Sequence, residues 1–85
     1  MEIVFSKSAA RMLSKLDQKT QKRIINKLHF FIAQKNPLRF AEPLKDYKLG
    51  EYRFRIGDYR ILFDVENRKI IILKVGHRKE IYKDC

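Results

Sequence analysis

The sequence predicts an α+β fold: an N-terminal helical hairpin packed on one face of a small, mostly antiparallel β-sheet. Three features lead to it. Apolar residues recur at helical spacing through residues 7–34, the period drops to two from residue 51 onward, and two-residue turn signals punctuate the second half. At 85 residues the chain is expected to form one domain spanning 1–85, with a core thin enough that every apolar residue counts.

The elements follow in order. "EIVF" at 2–5 is a short run of β-formers and reads as a strand. Ser6 is placed to cap a helix over 7–16, in which Ala9, Met12, Leu13 and Leu16 share a face. Asp17 is a second N-cap, for a helix from Gln18 to about Gln34. Its apolar stripe is Ile24, Ile25, Leu28, Phe31 and Ile32, with Lys19, Lys22, Arg23 and Lys27 on the other side and Asn36-Pro37 as the stop. His29 reads as a packing residue at the edge of the stripe. So short a connection predicts antiparallel helices.

A less defined strand is placed within "EPLKDYKL", residues 42–49. "EYRFRI" and "YRILFDV" then alternate around Gly57-Asp58, a good hairpin turn. "KIIILKV" is apolar on both faces, as an interior strand should be, with Asn67-Arg68 as the turn before it. The tail "GHRKEIYKDC" can add one helical turn.

With a two-residue loop, Ile56 pairs with Tyr59, Arg55 with Arg60, Phe54 with Ile61 and Tyr52 with Phe63. The apolar pairs then face the helices, and Arg53, Arg55 and Arg60 share the opposite face. Like charges directly opposite cost up to about 1 kcal/mol, in a chain already carrying 20 Lys+Arg against 10 Asp+Glu, a net charge of +10. Such an excess favours polyanionic partners, nucleic acid first, with acidic proteins and anionic membrane surfaces as rivals. The arginines have a bland reading too, splaying into water or pairing with Glu51 and Asp64. What favours the functional reading is the exit of the interior strand beside Arg60. It brings His77, which exchanges a proton near neutral pH, Arg78, and Tyr82, a ring able to stack on a base.

Several classes are excluded or unsupported. No apolar run is long enough for a transmembrane helix, and "MEIVFSKSAARM" lacks the basic start of a secretory signal. The lone Cys85 cannot form an internal disulfide and suits a reducing cytoplasm. Two distant histidines and one cysteine have no metal-ligand spacing, three glycines make no phosphate-cradling loop, and no cofactor or metal is expected.

Tyr52-Arg53-Phe54-Arg55, Gly57-Asp58, Tyr59-Arg60, the apolar strand 70–75, and Gly76-His77-Arg78 with Tyr82 together resemble the RelE/ParE toxin superfamily, and more closely its RelE-type mRNA interferases. The preceding helices fit as well, so the likeness covers nearly the whole chain. The resemblance implies a RelE-like fold and the toxin of a type II toxin–antitoxin pair. It further implies a ribosome-dependent, metal-independent endoribonuclease that cleaves mRNA in the A site through 2′-OH attack on the adjacent phosphate. Carried over by position, Arg53 and Arg55 stand where such enzymes often carry lysines. Arg60 and Arg78 match the phosphate-binding and leaving-group arginines, and Tyr82 matches the stacking tyrosine. Guanidinium is a poor general base, so either His77 transfers the proton or catalysis rests on orientation and charge, and slow turnover is expected.

Two alternatives stand beside this reading: a ParE-like toxin that inhibits DNA gyrase without nuclease activity, and a basic nucleic-acid-binding adaptor. Under the toxin readings the expected partners are a cognate acidic, RelB-like antitoxin, in a hetero-oligomer, and the ribosome with its mRNA. The expected antitoxin docking surfaces are the basic side of the second helix and an exposed apolar patch of Leu62, Ile71, Leu73 and Val75.

Overall fold

The computed structural model describes residues 1–83; Cys85 lies outside the described residues. Strand β1 (Glu2–Phe5) leads into helix α1 (Lys7–Ser14) and helix α2 (Gln18–Ile32). A short 3₁₀ turn (Pro37–Phe40) follows, then β2 (Ala41–Pro43), β3 (Tyr52–Ile56), β4 (Tyr59–Glu66) and β5 (Lys69–His77). The five strands form one sheet in the order β1-β5-β4-β3-β2. Only the β1–β5 pair is parallel. This is the predicted α+β architecture, with both helices on one face.

Both caps form as predicted. The Ala9 N–H donates to Ser6 Oγ at 3.0 Å. Asp17 accepts from the Thr20 N–H at 3.1 Å and from the Thr20 hydroxyl at 2.6 Å. Without these acceptors the first N–H groups of each helix would have no partner in the chain. From α2, Ile24, Leu28 and Phe31 are buried, whereas Ile25 and Ile32 are half-buried. His29 corrects the expectation: it is exposed, because it projects beyond the edge of the stripe.

The core is organised around a column of rings. Phe40, Phe31, Phe54, Phe63 and Tyr52 succeed one another at centroid distances of 4.9, 4.6, 4.4 and 5.6 Å, running from the 3₁₀ turn through α2 into the sheet. Such pairs contribute about 0.5–1.5 kcal/mol each beyond their buried area. Ile56, Ile61, Ile70, Ile72 and Val75 complete the same layer.

The β3–β4 register is the one predicted, including Arg55 opposite Arg60. Gly57 alone of the tip pair is left-handed (φ 59°), while both Asn67 (φ 51°) and Arg68 (φ 63°) are, as a type I′ turn requires. Two expectations need correction. The strand placed over 42–49 is confined to Ala41–Pro43; beyond it Asp46 organises a turn by accepting from the Lys48 N–H at 3.0 Å. The apolar patch does not exist as drawn, because Leu62 is fully buried and Val75 is 3% exposed. A register shift between Leu62 and Phe63 leaves Leu73 as the extra residue on β5 and turns Val75, the partner of Ile61, into the core.

Two measurements check these local devices. Arg68→Gly should stabilise the protein by about 0.5–1 kcal/mol, because a left-handed conformation costs an L-residue roughly 1–2 kcal/mol and glycine's extra unfolded-state entropy offsets part of the relief. The readout is the urea midpoint at unchanged m. The Asp17 carboxyl is held below its ordinary 3.8, first by the Thr20 side-chain hydrogen bond. Its contribution is therefore complete above that value and is lost as pH falls through the lowered one. Asp17→Asn keeps a capping oxygen without the charge, so the stability advantage of wild type over the variant should vanish in acid.

Candidate functional site

The sheet face away from the helices carries the arginines because β3 and β4 alternate strictly from the Gly57 turn. Arg53 sits opposite Leu62, and Arg55 opposite Arg60. Their electrostatic balance comes from a residue that sequence reasoning missed. Glu42 on the edge strand β2 pairs directly with Arg53 in the ladder. Its Oε1 accepts from Arg53 Nε at 3.2 Å and lies 2.9 Å from Arg55 Nε. Glu51 and Asp64 do not meet the arginines. Glu51 accepts from the Val65 N–H at 2.8 Å, and Asp64 from the Glu51 N–H at 2.9 Å, fastening the start of β3 to β4.

The C-terminal turn crosses this face. Ile81 is buried and lies over Gly76, where a Cβ would come within 3.2 Å of its Cδ1. Beyond it, Tyr82 Oη accepts from Arg53 Nη1 at 2.9 Å. That hydrogen bond is the main reason the Arg53 guanidinium is held above its ordinary pKa, with Glu42 adding and burial opposing. Leu62, between Arg53 and Lys74 in the register, is dry on a face that also carries charge.

The remaining cations gather at the hairpin tip. Arg60 is 9% exposed and turns its Nη1 onto the carbonyls of Gly57 and Tyr59, both at 2.9 Å. The Arg78 N–H donates to the Asp58 carbonyl at 2.7 Å, and its Nε lies 3.6 Å from Asp58 Oδ1. His77 is placed differently. It pairs with Tyr59, not with Arg60, and its ring meets the Tyr59 edge at 5.5 Å while Nδ1 accepts from the Lys79 N–H. The structure thus brings Arg53 and Arg55 together on Glu42, with Tyr82 on Arg53. It sets Arg60 and Arg78 at the adjacent tip and directs His77 to the other side of the sheet.

Among the described residues no three His, Cys, Asp or Glu side chains gather closely enough to hold a metal, and no helix is long and apolar enough to cross a membrane. A cleft of about 250 Å³ opens between α1 and the C-terminal turn, lined by Met12, Lys74, Val75, Gly76, Glu80, Ile81 and Lys83; none of the arginines lines it.

Paired helices on one face and a cationic, tyrosine-flanked surface on the other define a small basic α+β protein of the RelE-like kind. The family model described as the ParE toxin of type II toxin–antitoxin system, parDE, matches residues 3–82. The chain belongs to that toxin family, within the RelE/ParE superfamily. Toxin RelG of Mycobacterium tuberculosis is 33% identical over 81 residues, covering 93% of this chain and 92% of its own. A chain of the toxin–antitoxin complex RelBE2 from the same organism superposes with a TM-score of 0.73 at 29% identity, over 91% of this chain and 96% of that one. A chain of the RelB–RelE antitoxin–toxin complex of Methanococcus jannaschii gives 0.71 at 28% identity, over 93% and 94%.

Glu42 competes with any anion for the two guanidiniums. At 44% side-chain exposure such pairing contributes no more than about 1 kcal/mol. Glu42→Gln should therefore bind inorganic phosphate about fivefold more tightly, the factor that 1 kcal/mol represents, while leaving the urea midpoint nearly unchanged. An NMR titration of the arginine Nε–H signals reads both arginines directly.

Proposed function

We infer that this toxin is a ribosome-dependent endoribonuclease that cleaves mRNA in the A site without a metal, acting in the cytoplasm. The observation that carries the reading is Glu42 held against Arg53 and Arg55 beside Tyr82. It supplies, next to phosphate-binding guanidiniums, the proton acceptor that arginines cannot provide.

In the proposed reaction Arg53, Arg55 and Arg78 draw the scissile phosphate onto the sheet, displacing Glu42 from its ion pairs while keeping it adjacent. Glu42 accepts the proton of the ribose 2′-OH. The 2′-oxygen attacks phosphorus, the bond to the 5′-oxygen breaks, and the leaving 5′-oxygen takes a proton from solvent, giving a 2′,3′-cyclic phosphate and a 5′-hydroxyl. The guanidiniums stabilise the charge that builds on the non-bridging and leaving oxygens. Tyr82, anchored by Arg53, offers its ring to a base. Arg60 acts chiefly by tying down the tip that orients its neighbours. His77, directed away from this cluster, is assigned no proton transfer.

The expected partner is an acidic, RelB-like antitoxin. Two structurally similar chains come from toxin–antitoxin complexes, and an acidic chain over the arginine face would neutralise charge and block the site. A second reading draws support from the family match itself: a gyrase-inhibiting toxin in which the same face binds protein and performs no chemistry.

Programmed ribosomes incubated with the purified protein separate the two. A-site cuts are expected, and Glu42→Gln should slow them by about 10²–10⁴-fold, the usual worth of a positioned base, although it binds phosphate more tightly. Absence of cuts together with inhibition of gyrase supercoiling would establish the second reading instead.

A further inference from the structure

We propose that α2 carries a second RNA-binding surface, a stripe of Lys19, Arg23 and Lys27 that holds the phosphates of single-stranded RNA leaving the arginine face over the β3–β4 tip. It rests on the reading of that face as a ribonucleotide site and extends it to a longer strand.

The link is Arg23. Its guanidinium lies against Gly57, so close that a Cβ there would fall 2.7 Å from Nη2 and 3.0 Å from Cζ. The same turn receives Arg60 through the Gly57 carbonyl and Arg78 through Asp58. Guanidiniums from α2, β4 and the end of β5 therefore meet at a two-residue turn whose only acidic side chain is Asp58. That leaves a surplus of positive charge at the point where the sheet face gives way to the helix.

From Arg23 the charge continues along α2. Lys19, Arg23 and Lys27 are spaced i, i+4, i+8 on an unbroken helix, all exposed, and successive cations rise by about 6 Å along one side. No Asp or Glu occurs anywhere from residue 18 to residue 41, so nothing on this stretch of chain offsets the stripe.

Its chemistry suits a phosphate backbone better than an acidic protein. A stable protein interface needs buried apolar anchors at its centre. The stripe has none along its length: Phe30, whose ring lies 5.9 Å from that of the exposed Phe40, borders it at one end, with Lys27 Nζ 5.3 Å from the Phe30 centroid. A cationic row ending in an exposed ring is the arrangement that tracks a strand and stacks a base.

The test compares a trinucleotide with a dodecanucleotide, both 2′-O-methylated so that neither can be cut, by fluorescence anisotropy over a range of salt. Each phosphate contact to a single strand contributes about 0.7 to the slope of log affinity against log salt. For the dodecanucleotide, the triple variant Lys19→Gln/Arg23→Gln/Lys27→Gln should lose about 2 from that slope, equivalent to about 20-fold over a fourfold change in salt. Its trinucleotide affinity should stay at the wild-type value, which also reports an intact fold. The single Arg23→Gln variant should lose about a third as much. An unchanged dodecanucleotide slope with normal trinucleotide binding overturns this proposal alone, as does loss confined to an acidic polyglutamate probe. Failure of the wild-type protein to bind either oligonucleotide overturns the underlying ribonucleotide reading with it.

Discussion

The two-residue tip at Gly57-Asp58 imposes a parity on the sheet, and most of the molecule follows from it. Because Gly57 accepts a left-handed backbone at no steric cost, Phe54 meets Ile61 and Arg55 meets Arg60. A slip of one residue would exchange the faces, driving guanidiniums toward α2 and rings into water. The aromatic column from Phe40 to Tyr52 then holds that parity from the other side, since only the observed register stacks Phe54 between Phe31 and Phe63. Turn and column determine the same alternation independently, which is why a thin core can present so repulsive a row of charges.

That row is tolerated because the edge strand contributes a carboxylate. Glu42 costs little to hold there, being partly exposed, hydrogen-bonded by the Arg53 guanidinium and ion-paired with that of Arg55. In the free protein it screens like charges from one another. In the proposed reaction the same oxygen becomes a proton acceptor, so one side chain can serve the resting state and the chemistry in turn. Tyr82 occupies a comparable position: its hydroxyl ties the tail to Arg53, and in the proposed reaction its ring meets a base.

What could be read from the sequence is what local interactions determine. Ser6 and Asp17 cap their helices through contacts three residues away, and the hairpin register depends on a turn and an alternating pattern a few residues long. Glu42 was not legible as the arginines' partner, because its position depends on β2 crossing to β3 by way of a loop whose path no periodicity encodes. The extra residue Leu73 was hidden for a similar reason: residues 70–73, "IIIL", are apolar at every position, so a shift of face within them leaves no mark on the pattern. The placement of His77 depends on that shift and on the parity of β4, and "GHR" by itself carries neither. The C-terminal crossing was visible only as a possible helical turn, since Ile81 finds Gly76 through the third dimension.

The parallel pairing of β1 with β5 joins Glu2 to Lys69 and Phe5 to Ile72. During synthesis the first strand must therefore wait for its partner until residues 69–77 have followed it, and closing so long a loop is entropically costly and slow. The tail that places Tyr82 against Arg53 is synthesised later still. Assembly of the sheet is thereby coupled to synthesis of its fifth strand, so a nascent chain stopped before residue 69 lacks both the partner of β1 and the phenol that meets Arg53.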